Sequence, residues 1–191
     1  MSSGKGHTVT SEDGHTYTDL VGELSAGLYG HSHPVILSAI QNVISTVGLN
    51  LGAQTVHETA LAKAVCERFN LQRVRFTNSG TEATLHALAA ARRFTGKRKV
   101  VVFSGGYHGS AFMFGGGKRA DNNVDMADWI VVRYNDLNMA RKRIHMDGVA
   151  ACLVEGMQGS GGGIPGSEHF LAGVQEACRD VSLPATPSLT C

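Results

Sequence analysis

Charge of either sign is scarce in this chain: Lys, Arg, Asp and Glu make up only 17% of 191 residues and leave a net charge of +1. That balance supplies neither a basic surface for nucleic acid nor a polybasic face for a membrane. With 42% hydrophobic residues beside it, disorder through charge excess is also excluded. No apolar run reaches membrane-spanning length. The opening residues Met1-Ser2-Ser3-Gly4-Lys5-Gly6-His7 lack an apolar centre, so no secretory leader is expected. Cysteine is sparse too. Cys66, Cys152, Cys178 and Cys191 show no C-x-x-C spacing, so they read as free thiols in a reducing, cytoplasmic setting and not as a disulfide framework or zinc site. What the chain does have is glycine. Its 24 glycines are clustered without a period, which points to close backbone approaches and excludes a collagen-like or linker role.

Asp13-Gly14 marks a turn, within a hairpin ending near Tyr17. Pro34 opens a helix carrying Val35, Ile36, Ala39, Ile40, Val43, Ile44 and Val47 at helical spacing. A second helix is predicted over 55–69. From there strands and helices alternate: strands at 74–76, 99–103, 129–134 and 149–155, and helices at 81–94, 136–145 and 167–180. The alanine-rich 81–94 helix is expected to be buried on more than one side. Continuous Val/Ile/Leu strands separated by helices indicate an α/β fold, with a mainly parallel sheet covered on both faces. Ligands of such sheets bind at the carboxyl ends of the strands. Three loops there hold the candidate chemistry.

The first loop, Thr77-Asn78-Ser79-Gly80-Thr81-Glu82-Ala83, precedes a helix. Its backbone N–H groups and the helix dipole would suit a phosphate, while Ser followed by Glu is also an ordinary cap. The second, Ser104-Gly105-Gly106-Tyr107-His108-Gly109-Ser110, presents an aromatic ring for a planar ligand and an imidazole, or is simply a glycine turn with a surface Tyr. The third begins at Glu155 and continues through Gly156-Met157-Gln158-Gly159-Ser160-Gly161-Gly162-Gly163. A carboxylate after a buried strand is either a site group or a cap or salt-bridge partner.

Other motifs fail. Gly161-x-Gly163-x-x-Gly166 contains Ile164-Pro165 and does not run from a strand into a helix, so it is no dinucleotide fingerprint. Gly117-Lys118 is followed by Arg119, which breaks the Walker pattern. His31-Ser32-His33 lacks neighbouring acidic or thiol ligands and reads as a structural turn, so no metal is expected.

Taken together and in this order, the three loops resemble the class III pyridoxal-phosphate aminotransferases of fold type I. Asn78 to Thr84 (NSGTEAT), Ala91 to Phe103 (ARRFTGKRKVVVF) and Gly106 to Gly109 (GYHG) carry the likeness. Asp13-Gly14-His15-Thr16-Tyr17-Thr18-Asp19, Tyr29-Gly30-His31-Ser32-His33-Pro34 and Tyr134-Asn135-Asp136-Leu137 extend it, to about Arg179. Within the family the likeness is nearest to the glutamate-1-semialdehyde 2,1-aminomutase branch. It implies a three-layer sheet, an incomplete large domain over 52–180 and a small-domain segment over 1–51. The family's cofactor is pyridoxal 5′-phosphate (PLP) and its substrates are amino acids or amines. Ser79, Gly80 and Thr81 match the phosphate turn, Tyr107 the aromatic stacked on the ring with His108 beside it, and Glu155 a glutamate bordering the cofactor. Gly156 replaces the proline usual after that glutamate.

The departures are as informative. In the family, the helix matching 167–180 leads to a strand ending in the aspartate that pairs with the pyridine nitrogen, and a later lysine holds the cofactor covalently. Here the chain passes from Asp180-Val181 into Ser182-Leu183-Pro184-Ala185-Thr186-Pro187, and neither residue follows. Lys5, Lys63, Lys97, Lys99, Lys118 and Lys142 all precede the place where that lysine belongs. The irregular stretch 181–191 reads as a truncation, a frameshift or an unspliced end. Two expectations result. One is a truncated homologue with a partial cofactor site, no catalytic residue and no turnover unaided. The other is a non-catalytic subunit or dimerisation partner of a full-length homologue, joined through the family's dimer surface; a homo-oligomer or association with a homologue is the expected state.

Overall fold

The computed structural model describes residues 1–49, 52–117 and 127–183. Leu51, Lys118, Arg119 and the residues from Pro184 to Cys191, which figure in the expectations above, lie outside them. Two compact units divide the chain, Met1–Arg75 and a second that begins at Phe76.

In the first unit, β1 (Ser3–Lys5), β2 (Thr8–Thr10) and β3 (Thr16–Thr18) form an antiparallel meander. Threonine pairs Thr8 with Thr18 and Thr10 with Thr16 lie across β2 and β3, where β-branched side chains suit the pleat. The 13–14 turn closes by Ser11 N–H donating to the His15 carbonyl at 2.8 Å. Then come α1 (Pro34–Thr46), with Pro34 in its first turn, and α2 (Val56–Phe69), whose cap Thr55 accepts the Glu58 N–H at 3.4 Å. Both helices have an apolar stripe, yet neither buries a residue: Ile40 is 51% exposed and Ile44 54%.

The second unit is built on a parallel sheet. The central strand β4 (Lys99–Phe103) lies between β5 (Trp129–Val132) and β6 (Val149–Cys152), in parallel with both. Side chains along β4 alternate between two cores, because successive strand residues point to opposite faces. Val100 and Val102 face one core with Phe112, Phe114, Ala151 and, from α3 (Gly80–Thr95), Leu88 and Ala91. Val101 and Phe103 face the other, against α4 (Leu137–Ile144) and α5 (Glu168–Asp180). There the Phe103 and Phe170 rings meet edge to face, their centroids 5.2 Å apart. Truncating a buried Phe of this kind to Ala costs about 4 kcal/mol. Helices on both faces of a parallel sheet make the three-layer α/β unit that the sequence indicates. No helix among the described residues is long and apolar enough to cross a membrane.

Two expectations need correction. Residues 74–76 form no strand, because no neighbouring strand among the described residues supplies the backbone partners a strand needs. And α3 is buried on one side only: Thr84, Leu88 and Ala91 face the sheet, whereas Leu85 is 47% and Phe94 77% exposed. Its many alanines permit close packing on a second face, but nothing among the described residues covers that face. A short hairpin absent from the sequence reading, β7 (Met157–Gln158) with β8 (Ile164–Pro165), turns through the glycine run. The G-x-G-x-x-G string is thus mostly a hairpin turn.

Candidate functional site

The first loop is a helix cap that leaves donors free. Ser79, in extended conformation, accepts the Glu82 N–H through Oγ at 3.1 Å, and Glu82 reaches back to accept the Asn78 N–H at 2.9 Å. The N–H groups of Gly80 and Thr81 find no acceptor among the described residues. They point out of the positive end of a 16-residue helix. Capping and anion binding are therefore compatible at this turn.

Thr81 ties this turn to the second loop. Its Oγ1 accepts the Ser110 N–H at 3.0 Å. Gly109 makes the approach possible: at φ +124°, any Cβ there would stand 2.5 Å from Thr81 Oγ1 and 2.7 Å from its Cα. The second loop then doubles back. Gly105 N–H donates to the Phe114 carbonyl at 2.8 Å, and His108 N–H to the Phe112 carbonyl at 2.9 Å. Tyr107 is left 37% exposed at the end of β4. His108 lies beneath the loop, 1% exposed, its ring centroid 6.3 Å from that of Phe114. Burial lowers its pKa to about 4, so it is neutral near pH 7.

The third loop holds the second. A carboxylate oxygen of half-buried Glu155 accepts the Tyr107 N–H at 3.2 Å, while the Glu155 carbonyl accepts the Tyr134 hydroxyl at 2.7 Å. Burial pushes the Glu155 carboxyl above its ordinary value, and the Tyr107 N–H offsets part of that rise. Burial, and then the nearby Glu155 charge, raise the Tyr134 phenol. Glu155 thus acts on a loop amide, with no ion pair to it among the described residues. Asn135, at φ +63°, donates to the Pro165 carbonyl at 3.1 Å and accepts the Ser167 N–H at 3.0 Å. Ser167 in turn caps α5 by accepting the Phe170 N–H.

Thr81, Tyr107, His108 and Glu155 thus lie in one connected network at the carboxyl ends of β4 and β6. Ser79 and Gly80 flank Thr81 at the start of α3. Sequence reasoning missed Gln158, whose Nε2 donates to the Ser104 carbonyl at 2.9 Å. Its only signal was its place in a glycine run after a buried strand. Elsewhere, His31 Nε2 meets Asp19 Oδ2 at 2.9 Å. The Gly22 N–H, then His31 and the Val21 N–H, hold the Asp19 carboxyl below its usual range. His31 braces the first unit, and the described residues contain no group of metal-ligating side chains.

Comparison with known proteins places this network in context. The family model described as aminotransferase class-III matches residues 1–183. A β-phenylalanine transaminase of Variovorax paradoxus is 45% identical over 184 residues, which are 95% of this chain and 42% of that protein. A solved structure of a β-phenylalanine aminotransferase from Variovorax paradoxus superposes with a TM-score of 0.88 at 44% identity, covering 94% of this chain and 42% of that one. A glutamate-1-semialdehyde 2,1-aminomutase of Caldicellulosiruptor bescii is 36% identical over 191 residues, covering 94% of this chain and 44% of its own length. A transaminase solved with PLP bound has a TM-score of 0.85 and 30% identity over 95% of this chain and 46% of that chain. The chain spans about two fifths of the length of the relatives it matches. Both an aminomutase and a transaminase are among them.

Proposed function

This chain belongs to the class III aminotransferase family, and on that premise we propose that it holds the phosphate and one ring face of PLP for amino-group transfer. When bound, PLP supplies the electron sink for that chemistry. Amino acids or amines are the substrate class. The observation that carries the reading is the pairing of two helix N–H groups without an acceptor among the described residues, at Gly80 and Thr81, with a half-exposed aromatic ring, Tyr107. The free N–H groups fit a phosphate, and Ser79 can add its hydroxyl hydrogen. The Tyr107 ring fits one face of a planar group, while Glu155 holds its amide in place. His108, buried and neutral, supports the loop from below and carries no proton charge near pH 7.

The small-domain segment is proposed to end near residue 51 and the partial large domain to run over 52–180. Free, buried Cys152 and Cys178 favour a reducing compartment, hence a cytoplasmic location. A second reading, association with another copy or a homologue, is favoured by α1 and α2 burying none of their residues.

Titration with PLP tests the binding reading. Gly80→Val combined with Thr81→Ala is expected to weaken PLP and inorganic phosphate together by at least about tenfold. A branched side chain at 80 crowds the turn that presents both N–H groups, and loss of Thr81 Oγ1 releases the Ser110 N–H that braces it. Equal binding by both proteins overturns it.

The lysines carry a separate expectation. Lys99 sits at the start of β4, opposite the ligand loops, with Nζ 3.4 Å from the Asp147 carbonyl, and Lys97 precedes it. The 191-residue stretch by itself is therefore proposed to bind without turnover. Borohydride trapping with PLP, followed by peptide mapping, should label no single lysine stoichiometrically. One fully labelled lysine, with amino transfer lost on its change to Ala, contradicts this.

A further inference from the structure

Gln158 is 2% exposed, and the function proposed above gives it no task. Its amide is nevertheless fitted on several sides. Nε2 donates to the Ser104 carbonyl at 2.9 Å. At Gly105, φ +86°, a Cβ would stand 2.8 Å from Gln158 Oε1. At Gly161 a Cβ would stand 2.9 Å from the Gly105 carbonyl oxygen and 3.1 Å from Gln158 Cβ. Both glycines therefore give way to the same side chain.

The second anchor lies three residues earlier. Glu155 takes the Tyr107 N–H. Ser104 and Tyr107 flank the Gly105-Gly106 pair, so the loop after β6 grips that pair at both ends. An unrestrained glycine pair is the most freely rotating link a chain can have. Here the Gly105 N–H also donates to the Phe114 carbonyl and the Gly106 N–H to the Phe103 carbonyl, so the anchors from the loop after β6 act together with those bonds in deciding where the Tyr107 ring points.

We propose that Gln158 is a positioning residue that fixes the Gly105-Gly106 turn and, through it, the direction of the Tyr107 ring. The role in cofactor binding rests on the PLP reading above; the role in ordering the turn does not. Preorganisation of this kind leaves a ligand ring little conformational freedom to remove on binding. The buried amide acts through Tyr107 and touches no ligand itself.

Hydrogen exchange on the 191-residue chain tests the ordering role, with Gln158→Met, which keeps length and removes the donor, and Gln158→Glu, which keeps shape and sets a carboxylate against a carbonyl. In both variants the amides of residues 104–109 should exchange about tenfold faster, the scale of one buried hydrogen bond. Protection in α3, β4 and β6 should stay unchanged. With PLP added, the visible circular dichroism of the bound ring should fall in both variants while affinity for inorganic phosphate stays within threefold. Unchanged exchange at 104–109 overturns the proposal. A uniform rise that includes β4 and β6 also overturns it, by making Gln158 a general core residue. Failure of the wild-type chain to bind PLP or phosphate, with the local exchange effect intact, supports the ordering role and removes the PLP reading alone.

Discussion

His108 is the residue whose environment departs furthest from what its type suggests. An imidazole between two glycine-rich stretches reads as a ligand-facing group, yet it is 1% exposed and its pKa is lowered to about 4 by burial. In the unfolded chain it titrates near the ordinary 6.5. Between those values the unfolded state binds more protons, so stability is lost as pH falls from about 6.5 toward 4 and levels off below. At about 1.4 kcal/mol per pKa unit, the full loss is about 3 kcal/mol. His108→Asn should flatten this part of the pH profile. Denaturant unfolding at pH 7 and at pH 4.5 checks it, and equal acid sensitivity in both proteins would show that His108 is not the source. Tyr107 and Glu155 were identifiable as candidates from residue type and strand end. Gln158 was not, because its partner, Ser104, lies 54 residues away in sequence.

At the scale of elements, α3 shows how one turn serves two ends. Ser79 and Glu82 satisfy the Glu82 and Asn78 donors at its start, and the Gly80 and Thr81 N–H groups between them find no acceptor among the described residues. Ser79→Ala removes the Oγ acceptor and should cost about 1 kcal/mol of stability. Unfolding by urea checks this, and a loss below about 0.3 kcal/mol would mean the Glu82 side chain alone sustains the cap. Helices were readable because Thr55, Ser79, Asp136 and Ser167 announce them locally, each accepting an N–H of its own first turn. Strands were less so. Val74 and Phe76 alternate with Arg75 as in a half-buried strand, but a strand exists only where another backbone meets it.

At the scale of the whole molecule, the two units differ in how they bury their apolar residues. The parallel sheet fills two cores, whereas Val35, Ile40 and Ile44 on α1 and Val56 and Leu61 on α2 are between 51% and 76% exposed. Exposed apolar side chains in such number favour association. The 191-residue chain should sediment above monomer mass and bind a hydrophobic dye. Ile40→Glu with Ile44→Glu should reduce both effects without altering the far-ultraviolet dichroism. A monodisperse monomer with a sharp, cooperative melt contradicts this expectation.

Sequence by itself determined the layered α/β architecture, since apolar runs, caps and glycine breaks are local properties that each segment carries with it. It also determined the cap that opens α3 and the two loops that follow β4 and β6, and hence which residue types could meet a phosphate and a planar ring, although the first of these loops follows no strand. Tertiary structure alone decided how those loops join. Thr81 reaches Ser110, Glu155 reaches Tyr107 and Gln158 reaches Ser104 across 29, 48 and 54 residues. Those pairings depend on the order β5-β4-β6 and on where each loop turns back. Tertiary structure likewise buried His108 and left Tyr107 in the open, although the two are neighbours in sequence. Burial is set by what packs against a side chain, and here that is Phe114, brought back over the loop by the Gly105 and Gly106 backbone.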